Sequence, residues 1–236
     1  MVESRPSKPV IRVRIPVGAC FKMKKENILI FCAHSDDEIL GAGGLIAKSV
    51  KQNKNVIVVI FSSGEMSNPL LKEKVIINTR IKETKKVGKF LGVKETILLG
   101  IADRKIANEL KNKETIEKVD AIIKKYKPDR VFTHSPSDLH KDHRIVFKIV
   151  DKVMKNYKEI GMYTFNVWNP MSFTRRNVPK LYVDITDYFD KKMKALEIFE
   201  SQKGYVYSLL PLVVFKSLIH GRNVEGRYAE KFDKLR

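Results

Sequence analysis

The sequence predicts an α/β fold, a Rossmann-like three-layer sandwich with a mostly parallel central sheet. Short apolar runs alternate with longer segments of helical periodicity, and this alternation is typical of βαβ units. Runs such as residues 28–33 and 56–61 contain no charged residue, which is expected of parallel strands that are buried on both faces. Together these observations favour a parallel sheet with helices on its two sides.

The predicted elements follow one another in a regular order over much of the chain. Predicted strands cover residues 27–33, 56–61, 96–99 and 130–133, and predicted helices cover residues 41–52, 74–91 and 114–126. Gly92 acts as a C-terminal cap for the second helix, and Pro128 closes the third. The sequence therefore indicates successive strand–loop–helix units.

The pattern changes after residue 157. Predicted strands follow at residues 162–168 and 180–185, with no long helix between them. They either extend the sheet or form an antiparallel addition. Residues 187–202 are predicted as one helix with Thr186 or Asp187 as its N-cap. The apolar stretch 209–219 is expected to pack on the domain, and the final residues are charged.

The chain is expected to form one domain. It has 236 residues and neither an internal repeat nor a Gly/Ser-rich linker, and this length suits a single large α/β domain. We assign residues 27–236 to this domain, including a C-terminal helix and tail. Residues 1–26 are basic and contain proline, and they are expected to form a flexible arm or, at residues 10–15, an edge strand.

The charge balance limits the classes of partner. The formal net charge is +19, from 46 Lys and Arg against 27 Asp and Glu, which fits a nucleic-acid or anionic-surface binder or a solvated lysine-rich surface. The solvated surface is preferred because no nucleic-acid-binding motif is present. No apolar run reaches about 18 residues, so no membrane span is expected. Cys20 and Cys32 form no disulfide pattern, which favours a reducing, cytoplasmic setting.

One polar cluster follows the first predicted strand. His34, Asp36, Asp37 and Glu38 lie within five residues, at the carboxyl end of the strand, where open α/β sheets bind ligands. Such groups are costly to bury together unless they bind something, and a divalent metal ion is the obvious candidate. The alternative is structural, with one carboxylate capping the following helix and His34 hydrogen-bonded in the core.

A second polar cluster follows the predicted strand at residues 130–133. His140, Asp142 and His143 come just before an apolar stripe at helical spacing, so the two histidines would share one face of a helical turn. One of them can bind a metal while the other faces a substrate. A plain N-cap is the alternative for Asp142, and His134 is interpreted as a packing residue at the strand end.

Two strand ends of one parallel sheet would bring these histidines and aspartates to the same edge. Two histidines and one carboxylate suit Zn²⁺, with a fourth position left for water, and the same ligand types can hold Fe²⁺. A further carboxylate beside such a site supplies the general base that hydrolysis needs. The glycines at positions 41, 43 and 44 do not match a dinucleotide-binding fingerprint, because the third required position is Ile46.

The two clusters together resemble the LmbE-like (PIG-L) family of zinc-dependent N-deacetylases. The family's first motif, His-Pro-Asp-Asp-Glu, corresponds to residues 34–38, and its second, His-x-Asp-His, corresponds to residues 140–143. Ser35 stands where the family usually has proline. The resemblance spans residues 27–203 and implies an enzyme that removes the acetyl group from N-acetylglucosamine-type sugars.

The resemblance, carried over position by position, implies a role for each polar residue of the two motifs and for two residues outside them. The implied roles are His34, Asp37 and His143 as Zn²⁺ ligands, Asp36 as general base, His140 as the group that stabilises the oxyanion or protonates the leaving amine, Asp142 as the residue that orients His140, and Arg80 and Asp103 as contacts to the sugar. These assignments define the predicted site.

The resemblance also sets the expected partners. The expected substrate is an N-acetylated amino sugar, with N-acetylglucosamine conjugates, chitin-derived oligosaccharides and thiol-cofactor precursors as candidates. Assembly into a homo-oligomer, a trimer or hexamer, is expected as in relatives, whereas nucleic acid is not an expected partner. The alternative function, motivated by the charge of +19, is a basic nucleic-acid or anionic-surface binding protein with a structural metal site.

Overall fold

The structure, a computed structural model, describes residues 24–62, 64, 73–168 and 177–236 of the chain. Most of the predicted basic arm, including the predicted edge strand at residues 10–15, lies outside these ranges. Within them, no helix combines the length and the apolar character that crossing a membrane requires.

Seven strands of the described chain form one sheet. They are β1 (Asn27–Cys32), β2 (Asn55–Ser62), β3 (Glu95–Ile101), β4 (Arg130–His134), β5 (Gly161–Phe165), β6 (Lys180–Asp184) and β7 (Ala229–Lys234). Their spatial order is β3-β2-β1-β4-β5-β7-β6. The first five strands in that order pair in parallel, and β7 is antiparallel to both β5 and β6. The predicted, mostly parallel sheet is therefore confirmed.

Helices connect and cover these strands. They are α1 (Asp37–Lys51), α2 (Glu73–Leu91), α3 (Ile106–Glu109), α4 (Lys113–Tyr126), α5 (Lys141–Met154), α6 (Phe189–Glu197) and α7 (Lys203–Gly221). Short 3₁₀ turns lie at Asp103–Lys105, Thr186–Tyr188 and Glu200–Gln202. The connections between parallel strands carry the helices, as a parallel sheet requires.

The sheet separates two apolar cores, which makes the fold a three-layer sandwich. Alternate residues of β1 point to opposite faces, so Ile28 and Ile30 belong to a core with α1, α2, α6 and α7. Leu29 and Phe31 belong to the core on the other face, with α4 and α5. All four of these side chains are fully buried, which explains why β1 has no polar residue after Asn27.

Three elements differ from the sequence prediction. α1 begins at Asp37 rather than near residue 41, because the carbonyl of Asp36 already accepts hydrogen bonds from Ile39 N and Leu40 N. The single helix predicted over residues 187–202 is instead a 3₁₀ turn, α6 and a second 3₁₀ turn. It breaks because Phe199 is buried in the core and Ser201 donates both its N–H and its hydroxyl to Glu83 of α2.

The strand β7 was not predicted, because its sequence is largely charged. Glu230 of β7 is buried, and it accepts hydrogen bonds from Gly44 N (2.9 Å), Leu45 N (2.8 Å) and Lys192 Nζ (2.7 Å). A buried carboxylate is tolerated when its oxygens are paired in this way. The ion pair thus ties the inserted strand to α1 and α6, and no local periodicity reveals such a contact.

Candidate active site and metal centre

The two predicted polar clusters meet at one edge of the sheet. β1 lies between β2 and β4. The connection after β1 leads to β2 on one side of the sheet, and the connection after β4 leads to β5 on the other. β1 and β4 therefore form the topological switch point, where α/β folds place their ligands. His34 follows the carboxyl end of β1, and α5, which follows β4, carries His143. The imidazole rings of His34 and His143 lie 5.8 Å apart between their centroids.

The first cluster forms a tight loop that is hydrogen-bonded within itself. His34 N donates to Asp37 Oδ2 (2.9 Å), and Asp36 N donates to Glu38 Oε2 (3.0 Å). Asp36, Asp37 and Glu38 are all buried. Asp36 has a positive φ of 109°, a strained conformation for a residue with a side chain that is typical of functional sites. The loop thereby turns consecutive carboxylates in different directions.

The second cluster lies at the N-terminus of α5. His140 is the N-cap residue, and its Nδ1 accepts a hydrogen bond from Asp142 N at 3.2 Å. The alternative interpretation of Asp142 as the N-cap is therefore wrong. The backbone N–H of Asp142 orients the His140 ring, whereas the Asp142 carboxylate lies 3.4 Å from His34 Nε2. Because Nδ1 of His140 accepts, the proton of the neutral ring is on Nε2.

A compact set of donor atoms surrounds the space between the clusters. Asp37 Oδ1 is 3.2 Å from His143 Nε2, and Asp37 Oδ2 is 3.6 Å from His34 Nδ1. Ligand atoms at about 2.0–2.1 Å from a tetrahedral Zn²⁺ lie about 3.3 Å from one another. Both nitrogens of His143 are buried without an aligned hydrogen bond among the described residues. The two histidines therefore approach different oxygens of Asp37, and the unpartnered nitrogens of His143 are available to a metal ion.

Two overlapping groups of side chains have donor atoms close enough to share an ion. One is His34, His140 and His143, and the other is Asp37, His134 and His143. The predicted ligands His34, Asp37 and His143 are divided between these two groups, with His143 in both. His134 Nε2 already accepts the backbone N–H of Ala33 at 2.9 Å. Burial, together with His143, lowers the pKa of His134 to about 4, so this ring is neutral and its acceptor nitrogen is in use. The packing role of His134 stays a prediction, because the residue also belongs to the second of these groups.

Protons occupy the donor set when no metal is bound. Burial opposes a charge on His34, but the carboxylates of Asp142 and Asp37 outweigh burial and raise its pKa to about 10. Burial likewise opposes a charge on His143, and Asp37 and Asp138 raise its pKa to about 9. Metal ligands must be deprotonated, so binding of an ion releases these protons and weakens as the pH falls.

Asp36 lies beside this donor set but makes different contacts. Burial raises its pKa to about 7, against the lowering effect of the Arg80 guanidinium, whose Nη2 is 3.8 Å from Asp36 Oδ2. A carboxylate with a pKa near neutrality suits a general base. Arg80 also donates to Ser35 O. Gly64 lies against the guanidinium, since an added Cβ would be 2.6 Å from Arg80 Cζ.

A cavity of about 440 Å³ opens over the site. Both residues predicted to contact a sugar line it, with Arg80 only 2 % exposed and Asp103 holding the hydroxyl of Ser62. The opposite wall is aromatic. Trp168 and Tyr205 lie 4.8 Å apart between ring centroids, and Trp168 stacks 6.3 Å from His140. The cavity thus combines a metal-ligand edge, a polar wall and an aromatic wall.

Sequence reasoning missed the aromatic wall. Trp168 was assigned only to a strand end and Tyr205 only to the tail, and they are 37 residues apart in the chain. The one available signal was that Trp168 is the sole tryptophan of the chain. Tyr205 reaches the cavity because the Ser201–Glu83 hydrogen bonds fix the start of α7, and this long-range contact has no sequence signature.

Asp138 is a third residue to which sequence reasoning assigned no role. Its Oδ1 accepts from His140 N (3.0 Å) and lies 3.2 Å from His143 Nδ1. Its Oδ2 accepts from Val167 N (2.9 Å) and Trp168 N (3.3 Å). One carboxylate therefore orients a predicted metal ligand and holds the segment that carries the aromatic wall. Its place between two histidines in the motif region was the available signal.

Replacing Asp138 by asparagine is expected to weaken metal binding by about 10–100-fold, because partners that orient a ligating histidine have effects of this size. An amide offers one acceptor oxygen where the carboxylate offers two. Competition with a chromogenic chelator measures the affinity. Asp120→Asn, which changes a surface carboxylate paired with Lys124, is the matched control, and equal affinities in the two variants would remove the positioning role.

Comparison with known proteins shows to which protein family the chain belongs. Residues 29–154, more than half of the chain, match the family described as PIG-L: GlcNAc-PI de-N-acetylase. The chain belongs to the PIG-L family. The matched range contains both motifs and the strands and helices that carry them. The predicted family membership is thereby confirmed, as is the prediction of an enzyme of this deacetylase family.

Individual relatives cover most of the chain. It is 26 % identical over 189 residues to a probable N-acetyl-alpha-D-glucosaminyl L-malate deacetylase 2 of Bacillus cereus, covering 75 % of this chain and 84 % of that protein. It is 24 % identical over 221 residues to diacetylchitobiose deacetylase of Thermococcus kodakarensis, covering 87 % and 81 %. Both relatives are deacetylases by name, and both motifs of this chain lie within the family match.

A solved structure shows the same fold in a protein with a different reaction. GalB, the 4-carboxy-2-hydroxymuconate hydratase of Pseudomonas putida, superposes with a TM-score of 0.76 at 22 % identity and covers 89 % of this chain and 96 % of that one. This likeness confirms the three-layer α/β architecture for the PIG-L chain. Because the fold supports a hydratase as well, the reaction has to be argued from the site.

Proposed function

We propose that the chain is a zinc-dependent hydrolase that removes the acetyl group from an N-acetylglucosamine-type sugar. The observation that carries the proposal is the donor set of His34, Asp37 and His143, with the separate carboxylate of Asp36 beside it. Metal ligands alone would also fit a structural metal site. A catalytic site needs a base in addition, and the buried carboxylate of Asp36, with a pKa near neutrality, supplies one. Membership in the PIG-L family supports the same reaction.

The proposed zinc ligands are His34, Asp37 and His143. Two imidazoles and one carboxylate match catalytic zinc sites, which keep one position open. A zinc ion held by these side chains would polarise the amide carbonyl and lower the pKa of water toward neutrality. Asp138 and Asp142, which lie against His143 and His34, act as the outer partners that orient such ligands.

Asp36 and His140 have separate roles in the proposed reaction. Asp36 accepts a proton from the attacking water, and the guanidinium of Arg80 holds the carboxylate against the loop. His140 is half-buried at the cavity, and burial together with His143 lowers its pKa, so the ring is neutral and its Nε2–H is available as a hydrogen-bond donor. This N–H stabilises the oxyanion, and the proton that Asp36 took from the water goes to the leaving amine.

The cavity supports a sugar as substrate. Its volume of about 440 Å³ suits one or two hexose rings. Trp168 and Tyr205 offer an apolar face for a ring, and Arg80 and Asp103 offer polar contacts to hydroxyl groups. Relatives named for N-acetylglucosaminyl malate and for diacetylchitobiose support an N-acetylated amino sugar. The cytoplasmic location and the trimeric or hexameric assembly stay predictions.

Replacing Trp168 by alanine is expected to raise KM about tenfold and to change kcat less than about threefold. The ring contributes to ground-state binding of the sugar, and a factor of ten corresponds to about 1.4 kcal/mol. Steady-state kinetics on the best substrate measures both constants. Trp168→Phe should retain most of the affinity, and Tyr207→Ala, which removes an exposed ring near the start of α7, should have no effect. A tenfold fall in kcat at constant KM would contradict a binding role.

The experiment that tests the proposed function measures acetate release and bound metal on the same sample. Zinc-loaded and chelator-stripped protein are incubated with N-acetylglucosamine, diacetylchitobiose and an N-acetylglucosamine–inositol conjugate. Zinc-dependent acetate with an equal yield of free amine is expected from at least one of them. Bound zinc without acetate from any N-acetylated sugar would contradict the proposal and favour a hydratase-like or structural site.

The alternative function, nucleic-acid or anionic-surface binding, has its own test. A basic binder loses affinity steeply with salt, because each neutralised phosphate releases counterions. Binding to random-sequence DNA and RNA at two salt concentrations measures this slope. Absent binding is the expected result, since the polar groups of the described site are mostly carboxylates and histidines.

A further inference from the structure

One wall of the candidate active site is held by a residue that lies outside the cavity. Glu83 is a buried residue of α2, and it is not among the described residues that line the cavity. We propose that Glu83 is a positioning residue for substrate binding, which acts through Ser201 and sets the place of Tyr205 in the cavity. This inference rests on the proposed deacetylase function, because the bound molecule is taken to be its sugar substrate.

The carboxylate of Glu83 makes two hydrogen bonds to one residue. Its Oε1 accepts the backbone N–H of Ser201 at 2.8 Å, and its Oε2 accepts the Ser201 hydroxyl at 2.6 Å. Ser201 belongs to the short 3₁₀ turn Glu200–Gln202 that leads into α7. Two bonds from one carboxylate fix the orientation of a partner as well as its position. The start of α7 is thereby tied to α2.

Two residues that line the cavity follow this anchor closely. Gln202 is the next residue after Ser201, and Tyr205 lies about one helical turn beyond it. The Tyr205 ring is 4.8 Å from the Trp168 ring between centroids. Gln202 is the N-cap residue of α7, and its side chain makes no capping hydrogen bond. Glu83 therefore supplies the side-chain anchor that the start of this helix otherwise lacks.

The same helix also contacts the proposed base. Arg80 and Glu83 are three residues apart on α2, so they share one face of the helix, and both are buried. Arg80 Nη2 lies 3.8 Å from Asp36 Oδ2, whereas Glu83 holds Ser201. One helix face thus sets the distance between the polar wall and the aromatic wall. A sugar that contacts both Arg80 and Tyr205 must span this distance, so a shift of α7 lowers its affinity.

Replacing Glu83 by alanine is expected to raise KM for the sugar about tenfold, as for loss of the Trp168 ring, and to change kcat less than about threefold. Glu83→Gln should restore most of the affinity, because its amide oxygen can accept the Ser201 N–H and its amide N–H can donate to the Ser201 hydroxyl. Ser201→Ala loses one of the two bonds and should have an intermediate KM. The double variant Glu83→Ala/Ser201→Ala should match Glu83→Ala, since residues in contact are not additive.

Trp168 gives a second readout that needs no turnover. It is the sole tryptophan of the chain and is partly buried, so selectively excited tryptophan emission reports on the aromatic wall alone. In Glu83→Ala, displacement of Tyr205 should shift this emission to longer wavelength and increase its quenching by acrylamide, whereas Glu83→Gln should resemble the wild type. Asp151→Ala removes an ion pair with Arg236 at the far end of α5. This control should leave both the emission and KM unchanged.

The two readouts separate the positioning role from the deacetylase function. Acetate release with an unchanged KM in Glu83→Ala would overturn the positioning role and leave the function standing. A lower Tm in Glu83→Ala with unchanged Trp168 emission and quenching would also overturn it, because the contact would then be merely structural. If no sugar is hydrolysed by the wild type, the deacetylase function fails, and the emission change alone decides whether Glu83 positions the wall.

Discussion

Replacing Asp36 by asparagine is expected to lower the rate of deacetylation by about 10²–10⁴-fold, the contribution typical of a general base, while the bound metal stays at about one ion per chain. The amide cannot accept the proton of the attacking water. The fold of the loop should persist, since asparagine is among the residues most often found at positive φ and Asp36 has a φ of 109°. Initial rates and metal content on the same preparation measure the two effects.

Glu38 supplies the matched control for this prediction. It is as buried as Asp36, but its carboxylate accepts the Asp36 N–H at 3.0 Å within the loop. Burial and Asp36 raise its pKa to about 8, so the side chain is neutral at pH 7 and glutamine is a close mimic. Glu38→Gln should therefore lose less than about tenfold in rate. A fully active Asp36→Asn protein would remove the base assignment.

Replacing His143 by alanine is expected to abolish stoichiometric zinc binding and, with it, all zinc-dependent acetate release. His143 is fully buried and belongs to both groups of side chains that can share an ion. Its loss leaves the carboxylates of Asp37 and Asp138 without the imidazole between them. Metal analysis after dialysis against trace zinc is the measurement, and circular dichroism checks that the chain is folded.

Two further histidine variants separate the competing ligand sets. His134→Gln should keep zinc, because its amide oxygen can accept the Ala33 N–H that His134 Nε2 now accepts. His140→Ala should also keep zinc but slow acetate release, since His140 is proposed to face the oxyanion. Loss of zinc in His134→Gln with retention in His34→Ala would favour the set of Asp37, His134 and His143 and contradict the proposed ligands.

The order and the limits of most elements could be predicted from the chain alone. β2, α2, α4 and β4 begin and end within two residues of their predicted limits, because each has an apolar periodicity and a cap or breaker at its end. Two of the elements that differ from the prediction depend on distant partners. β7 is stabilised by the pairing of Glu230 with Lys192, and the break before α7 is stabilised by Ser201 on Glu83.

The clusters that form the candidate site were also visible in the sequence. His34, Asp36 and Asp37 follow one strand, and His140 and His143 follow another, so their residue types and their position at strand ends already indicated metal chemistry. The role of the Asp142 carboxylate was harder to predict. It lies beside His34 rather than His140, because the N-cap contact uses the backbone of Asp142 instead of its side chain.

The sequence by itself determined the fold class, the strand ends that carry the polar clusters and the chemistry of their side chains, because these depend on local periodicity and residue type. Only the tertiary structure decided that β1 lies against β4 and that Asp138 joins His143 to the segment of Trp168. Each of these contacts joins residues far apart in the chain, and strand order and helix packing, which set such distances, leave no periodic trace in the sequence.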